Sequence, residues 1–210
     1  APRDAHFIKP DGGESGPSHP AAKGVALWNA VEHQQRAGGG IAAELAIQQP
    51  ASVASLSLLD AAGIHARPSE LDRSLLAGKN MLVIKKPEDL DALLTFATAQ
   101  RPAMPRPVLD YLAERAVKDS ALHEKIFWSS LFEDINFLLP KIDGIKAPTL
   151  ILWGEKDRVL HPDNAKVFHK FIPGSRLVIM PNVGHLPMAE MPYESAAEVV
   201  KFIEELSPAK

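Results

Sequence analysis

Two runs near the C-terminus hold the residue types that proton-transfer chemistry needs. In "TLILWGEKDRV" Asp157 follows an apolar run, and in "SRLVIMPNVGHLPM" His185 follows a second one, directly after Gly184. Each apolar run reads as a strand and each polar residue as part of the loop behind it. In an open parallel sheet, ligands bind at the carboxyl ends of the strands. Asp157 and His185 would then face one another at that edge. A carboxylate beside an imidazole fixes its tautomer and stabilises the imidazolium formed in proton transfer. Taken singly, Asp157 reads as a solvated loop carboxylate and His185 as a packed or surface histidine. The joint pattern, an acid after one strand and a histidine after the next, singles out the pair.

Elements able to position that pair surround it. "DNAKVFHKFI" predicts a helix with Val167, Phe168, Phe171 and Ile172 on its apolar face. "YESAAEVVKFIEEL" predicts a final helix with Ala197, Val200, Phe202 and Ile203 toward the core. Strand, helix, strand, loop, helix is the order of a mostly parallel sheet covered by helices. An α/β pattern also appears earlier. "HQQRAGGGIAAELAIQQP" is a glycine-rich turn running into a helix, with Ile41, Ala42, Leu45 and Ala46 on one face and a stop at Pro50. "SVASLSLLD" follows as a buried strand ending at Asp60.

The stretch between these α/β parts is helical. "DLDALLTFATAQ" carries Leu90, Leu93, Leu94 and Ala97 at helical spacing, and "PVLDYLAERAVKD" carries Val108, Leu112 and Ala116. "LHEKIFWSSLFEDINFLLPKI" adds an aromatic-rich helix. The expected division is therefore 1–63 and 148–210 for the two parts of an α/β core, with a helical block at 64–147. Within the first part, 1–37 is poorly patterned. There "HFIKP" suggests a short strand, "DGGESGPSHP" is turn chemistry, and "AAKGVALWNAVEHQQ" has weak helical spacing.

Composition narrows the function classes. Hydrophobic residues make up 46 % and charged residues 23 % of the 210, which are globular values. The net charge of −3 comes without a basic block, so nucleic acid is not an expected partner. The absence of cysteine excludes disulfides and thiolate catalysis. The eight histidines form no H-E-x-x-H or other paired spacing, so no metal is expected. His161 beside Asp163 reads as a helix entry, and His123 and His169 as solvated helix positions. "AGGGIAA" lacks the further glycine or lysine of a phosphate loop, and no cofactor is expected. No apolar run is long enough to span a bilayer. The chain opens at Ala1 rather than Met and shows no basic-then-apolar leader, as a mature chain or a fragment would.

From "GGGIAAELA" onward the chain resembles the α/β-hydrolase superfamily. "QPASVASLSLLDAAGI" is similar to the strand behind the nucleophile helix, and 147–203 is similar to the C-terminal part of that fold. "LLDAAGI", "GKN", "LHEKIF" and "GHLPM" resemble bacterial lipases and esterases related to monoacylglycerol lipases. The resemblance implies an α/β-hydrolase fold with a helical cap and an incomplete N-terminal sheet. It implies hydrolysis of a small-molecule ester or lipid without a cofactor, with Asp157 as the acid and His185 as the general base. The helical block matches the cap. Its Phe127, Trp128, Leu131, Phe132 and Ile135 would pack the cap, line an acyl pocket or touch a lipid surface. Asp60 would be a structural cap or an alternative acid.

One residue departs from the family pattern. The superfamily places its nucleophile in a strained G-x-S-x-G turn between strand and helix. With Gly38 as the closing glycine, Arg36 occupies the serine position and Gln34 the first glycine. A guanidinium is permanently cationic and cannot attack a carbonyl. Neither an early oxyanion loop nor a strand leading to the turn is legible before Arg36. The pattern is lost abruptly before Gly38, while the Asp and His loops stay intact. That is expected of a chain whose N-terminal part was truncated and altered. A natural pseudoenzyme and a relocated nucleophile, with Ser15 first in line, are the alternatives.

Overall fold

The computed structural model describes residues 24–27, 35–132 and 135–206. Among the described residues the sheet has four strands, all parallel, in the order β1 (Gly24–Leu27), β2 (Val53–Leu59), β3 (Thr149–Gly154), β4 (Arg176–Met180). Helix α1 (Gln35–Gln48) links β1 to β2. Helices α2 (Glu70–Leu76), α3 (Glu88–Ala97), α4 (Arg106–Lys118) and α5 (Ser120–Phe132) lie between β2 and β3. Helix α6 (Asp163–Phe171) links β3 to β4, and α7 (Pro187–Glu190) and α8 (Pro192–Leu206) close the chain.

Every residue of β3 is buried, because both of its faces are covered. Ile151 and Trp153 join a core cluster with Leu56 and Leu58 of β2, Ala42 and Ala46 of α1, and Phe168 of α6. The alternate residues Leu150 and Leu152 face the other way, onto Val199 and Phe202 of α8 and onto Met180 and Val183. A parallel strand between two helical layers therefore reads as a continuous apolar run. Trp153 and Phe168 stack at 6.2 Å, and both are fully buried.

The sequence pattern placed the elements more accurately than their faces. Helix α1 buries its small residues, Ala42, Ala43 and Ala46, and leaves Ile41 and Leu45 exposed, contrary to expectation. Close approach is the reason: a Cβ on Gly39 would lie 2.4 Å from the Cβ of Ala61, so this face admits only small side chains. In α8 the buried set is Ser195, Val199 and Phe202, while Ala197 and Val200 are exposed. Phe171 and Val108 are exposed as well. A further helix, α2, starts at a capping box in which Ser69 Oγ accepts from Asp72 N–H and Asp72 accepts from Ser69 N–H.

The strand Gly24–Leu27 lies in the stretch that the spacing suggested was weakly helical. Its partner β2 supplies an in-register edge, Val25 beside Ser55 and Leu27 beside Ser57, which local periodicity does not report. The segments "HFIKP" and "DGGESGPSHP", and Ser15 with them, lie outside the described residues.

Candidate active site

Asp157 and His185 meet at the carboxyl edge of the sheet. Asp157 sits in the turn after β3, where its Oδ1 accepts from the N–H groups of Val159 (2.8 Å) and Leu160 (2.9 Å). These two bonds fix the carboxylate plane. Its Oδ2 lies 2.8 Å from Nδ1 of His185, and the two side chains are 0 % and 2 % exposed. Since Asp157 is an acceptor, Nδ1–H donates, and Nε2 is left as the ring atom for proton exchange.

The His185 loop is held by backbone contacts that depend on glycine. A Cβ on Gly184 would come within 2.5 Å of the Ala97 carbonyl and 2.7 Å of the Ala99 nitrogen. A Cβ on Gly154 would meet the Gly184 carbonyl at 1.9 Å. The end of β3, the His185 loop and the end of α3 thus stack with no room between them. Within this stack His185 N–H donates to the Ala97 carbonyl at 2.7 Å.

Glu190 is a site-supporting residue that the sequence reading passed over. Its carboxylate is buried and accepts from four backbone N–H groups: Ala99 (2.7 Å), Gln100 (2.9 Å), Gly184 (3.0 Å) and Leu186 (3.2 Å). It therefore clamps the His185 loop to the segment after α3. The available signal was an acidic residue close behind the histidine in "GHLPMAEMP".

Asp60 lies beside the pair. Its Oδ1 accepts from Gly154 N–H at 3.0 Å, and its backbone is left-handed, with φ of 44°. Burial, and then the charge of Asp157, push its carboxyl well above the usual carboxylate range. One atom each from Asp60, Asp157 and His185 fall within 4.8 Å of one another, close enough to share a cation. A metal there would have to compete with the His185–Asp157 bond, because Asp157 Oδ1 already takes two N–H groups and Oδ2 the imidazole.

His185 opens onto a cavity of about 910 Å³. Its far wall comes from α3, α4 and α5 and includes Leu93, Leu94, Leu112, Ile126 and Phe127. His123, expected to be solvated, is half-buried and lines this wall. Phe127 also lines it, whereas Trp128 and Ile135 of the same aromatic-rich stretch are exposed, and the side chains of Leu131 and Phe132 lie outside the described residues. His161 Nδ1 accepts from Asp163 N–H, the helix entry expected of it. His169 Nδ1 pairs with Ser175 Oγ at 2.9 Å.

Arg36 is the second residue of α1, and its side chain is outside the described set. Among the described residues, no serine hydroxyl is hydrogen-bonded to His185. Ser55 and Ser57 are buried inside β2, and Ser69 is committed to its cap.

The profile of the alpha/beta hydrolase fold matches residues 37–192, and the chain belongs to that family. Its curated relatives include Lipase 1 of Psychrobacter immobilis, 32 % identical over 161 residues, covering 76 % of this chain and 50 % of the relative. Monoacylglycerol lipase ABHD6 of Rattus norvegicus is 30 % identical over 175 residues, covering 79 % of this chain and 52 % of the relative. The chain spans about half the length of these curated relatives. Among solved structures, a membrane phospholipase A described as a bacterial virulence factor superposes with a TM-score of 0.79 at 42 % identity. That match covers 83 % of this chain and 56 % of the other.

Proposed function

We propose that this site is built to hydrolyse a carboxylic ester with an acyl chain. The observation that carries the reading is the buried His185–Asp157 pair opening onto an apolar cavity. In this mechanism a serine attacks the carbonyl, His185 Nε2 accepts its proton and later returns it to the leaving alcohol, and Asp157 orients the ring. The helices of 64–147 act as the cap, and their apolar wall receives the acyl chain. The lipase relatives support the substrate class. Exposed Tyr111, Leu122 and Trp128 support contact of the cap with a lipid surface. No described helix is long and apolar enough to cross a membrane.

Arg36 at the nucleophile position favours a second reading for the chain as written: a fold that binds an apolar ligand without turnover. Hydrolysis of p-nitrophenyl butyrate and of a longer-chain ester, by the chain and by His185→Ala, separates the two. We expect neither to exceed buffer. A rate removed by His185→Ala would overturn the inactive reading and direct the search to a relocated serine, Ser15 first. A rate that His185→Ala leaves intact would overturn the role given to His185. Restoring the turn with Gln34→Gly and Arg36→Ser should produce His185-dependent turnover.

A further inference from the structure

Asp60 is the member of the strand-end cluster that the ester-hydrolase reading leaves without a task. Its Oδ1 accepts from Gly154 N–H, but its Oδ2 is buried and, among the described residues, meets no N–H or O–H donor. The group beside it is another acceptor, the carboxyl of Asp157, with an oxygen within 4.8 Å of one of its own. Two carboxylates cannot face one another in a buried site without a shared proton. Asp157 already receives three donors, from Val159, Leu160 and His185, whereas Asp60 receives one. The proton therefore belongs on Asp60. The left-handed backbone at Asp60 is the kind of conformation that surrounding structure must enforce.

We propose that Asp60 is a neutral carboxylic acid that donates a hydrogen bond to Asp157, and so acts as a positioning residue for the Asp157–His185 pair. The inference rests on reading that pair as the acid and base of the site. Among the described residues, the titratable groups around Asp60 are Asp157, His185 and Glu190. With Asp60 neutral, one negative charge, on Asp157, directly faces the imidazole. The Asp60 proton stays in place while His185 cycles between imidazole and imidazolium, so the charge bonded to the ring is that of Asp157.

The test uses the full chain near neutral pH. Carboxyl-labelled aspartate should reveal, by infrared difference spectroscopy, the carbonyl stretch of a protonated carboxylic acid, and Asp60→Asn should remove it. Absence of that band, or its survival in Asp60→Asn, would overturn the proposal. The proton affinity of His185, followed by nitrogen NMR of the ring, should stay within about twofold in Asp60→Asn, which keeps a neutral donor. A tenfold fall would mean that a negative charge had been removed, and that Asp60 is ionised in the parent. Asp60→Ala, lacking the donor, should leave more charge on Asp157 and raise the His185 affinity several-fold. A value equal to the parent would overturn the positioning role. Should Asp60→Ala fail to fold, the infrared band of the parent and the Asp60→Asn titration still decide. Asp157→Asn tests the underlying pair separately: a His185 titration indifferent to it would sink the acid–base reading, whatever the infrared result.

Discussion

The two walls of the cavity are built on different principles. Behind the sheet-edge wall lies a buried polar cluster: Asp157 takes two backbone N–H groups and an imidazole, and Glu190 takes four backbone N–H groups. The helical wall of α3 to α5 is mostly apolar, with Arg115 and Asp119 also lining it, while the pair Arg106–Asp110 stands in solvent. Proton transfer needs groups held to within a fraction of an ångström, so that wall is fixed by directional bonds. The proposed acyl chain would need volume and dryness, which non-directional packing supplies.

The sharpest way to break this contrast is Asp157→Ala. It strands the buried Nδ1–H of His185 and the N–H groups of Val159 and Leu160, and should cost about 3 kcal/mol in denaturant unfolding. A loss under about 1 kcal/mol would mean that the polar wall is less tightly wired than its geometry states. Glu190→Ala should cost about 2 kcal/mol and speed amide hydrogen exchange at Gly184 and Ala99, where the clamp is released. On the helical wall, Phe127→Ala should leave stability within about 1 kcal/mol, because the ring is half-buried beside a cavity, yet weaken binding of a fluorescent long-chain fatty acid by about tenfold. The smallest effect is expected for Arg106→Ala, about 0.5 kcal/mol or less, since its partner Asp110 is solvated.

The polar wall also carries a pH signature. Asp60 has its carboxyl raised above the unfolded value, so the folded state holds that proton more tightly than the unfolded chain. Its contribution to stability is full below the ordinary carboxylate pKa and declines as pH rises toward the raised folded value. Asp60→Asn, which never ionises, should therefore gain stability relative to the parent as pH increases through this window. Parallel stability curves for the two proteins would refute the shift.

Some of this was legible from the residues. The apolar runs "TLILWG" and "RLVIM" became β3 and β4, and the loops behind them brought Asp157 and His185 together across 28 positions. The runs show themselves because they are almost wholly apolar, though only β3 is fully buried, and loops because glycine and proline punctuate them. The strand at Gly24–Leu27 was not legible, since its pairing comes from β2. Nor were the faces of α1 and α8, where Ile41, Leu45 and Val200 satisfy helical periodicity but point to solvent. Their neighbours demanded small or differently placed side chains, and periodicity carries no record of the neighbour.

The sequence by itself determined the strands that became β2, β3 and β4, the helical stretches between them, and the placement of an acid and a histidine at successive strand ends. These follow from local composition and spacing, which are properties of the chain. Only the tertiary structure decided that Glu190 clamps the histidine loop, that Asp60 adjoins Asp157, and that α3 abuts Gly184 closely enough to exclude a methyl group. Each of these is a contact between distant segments, fixed by close packing and by the need of every buried donor and acceptor for a partner.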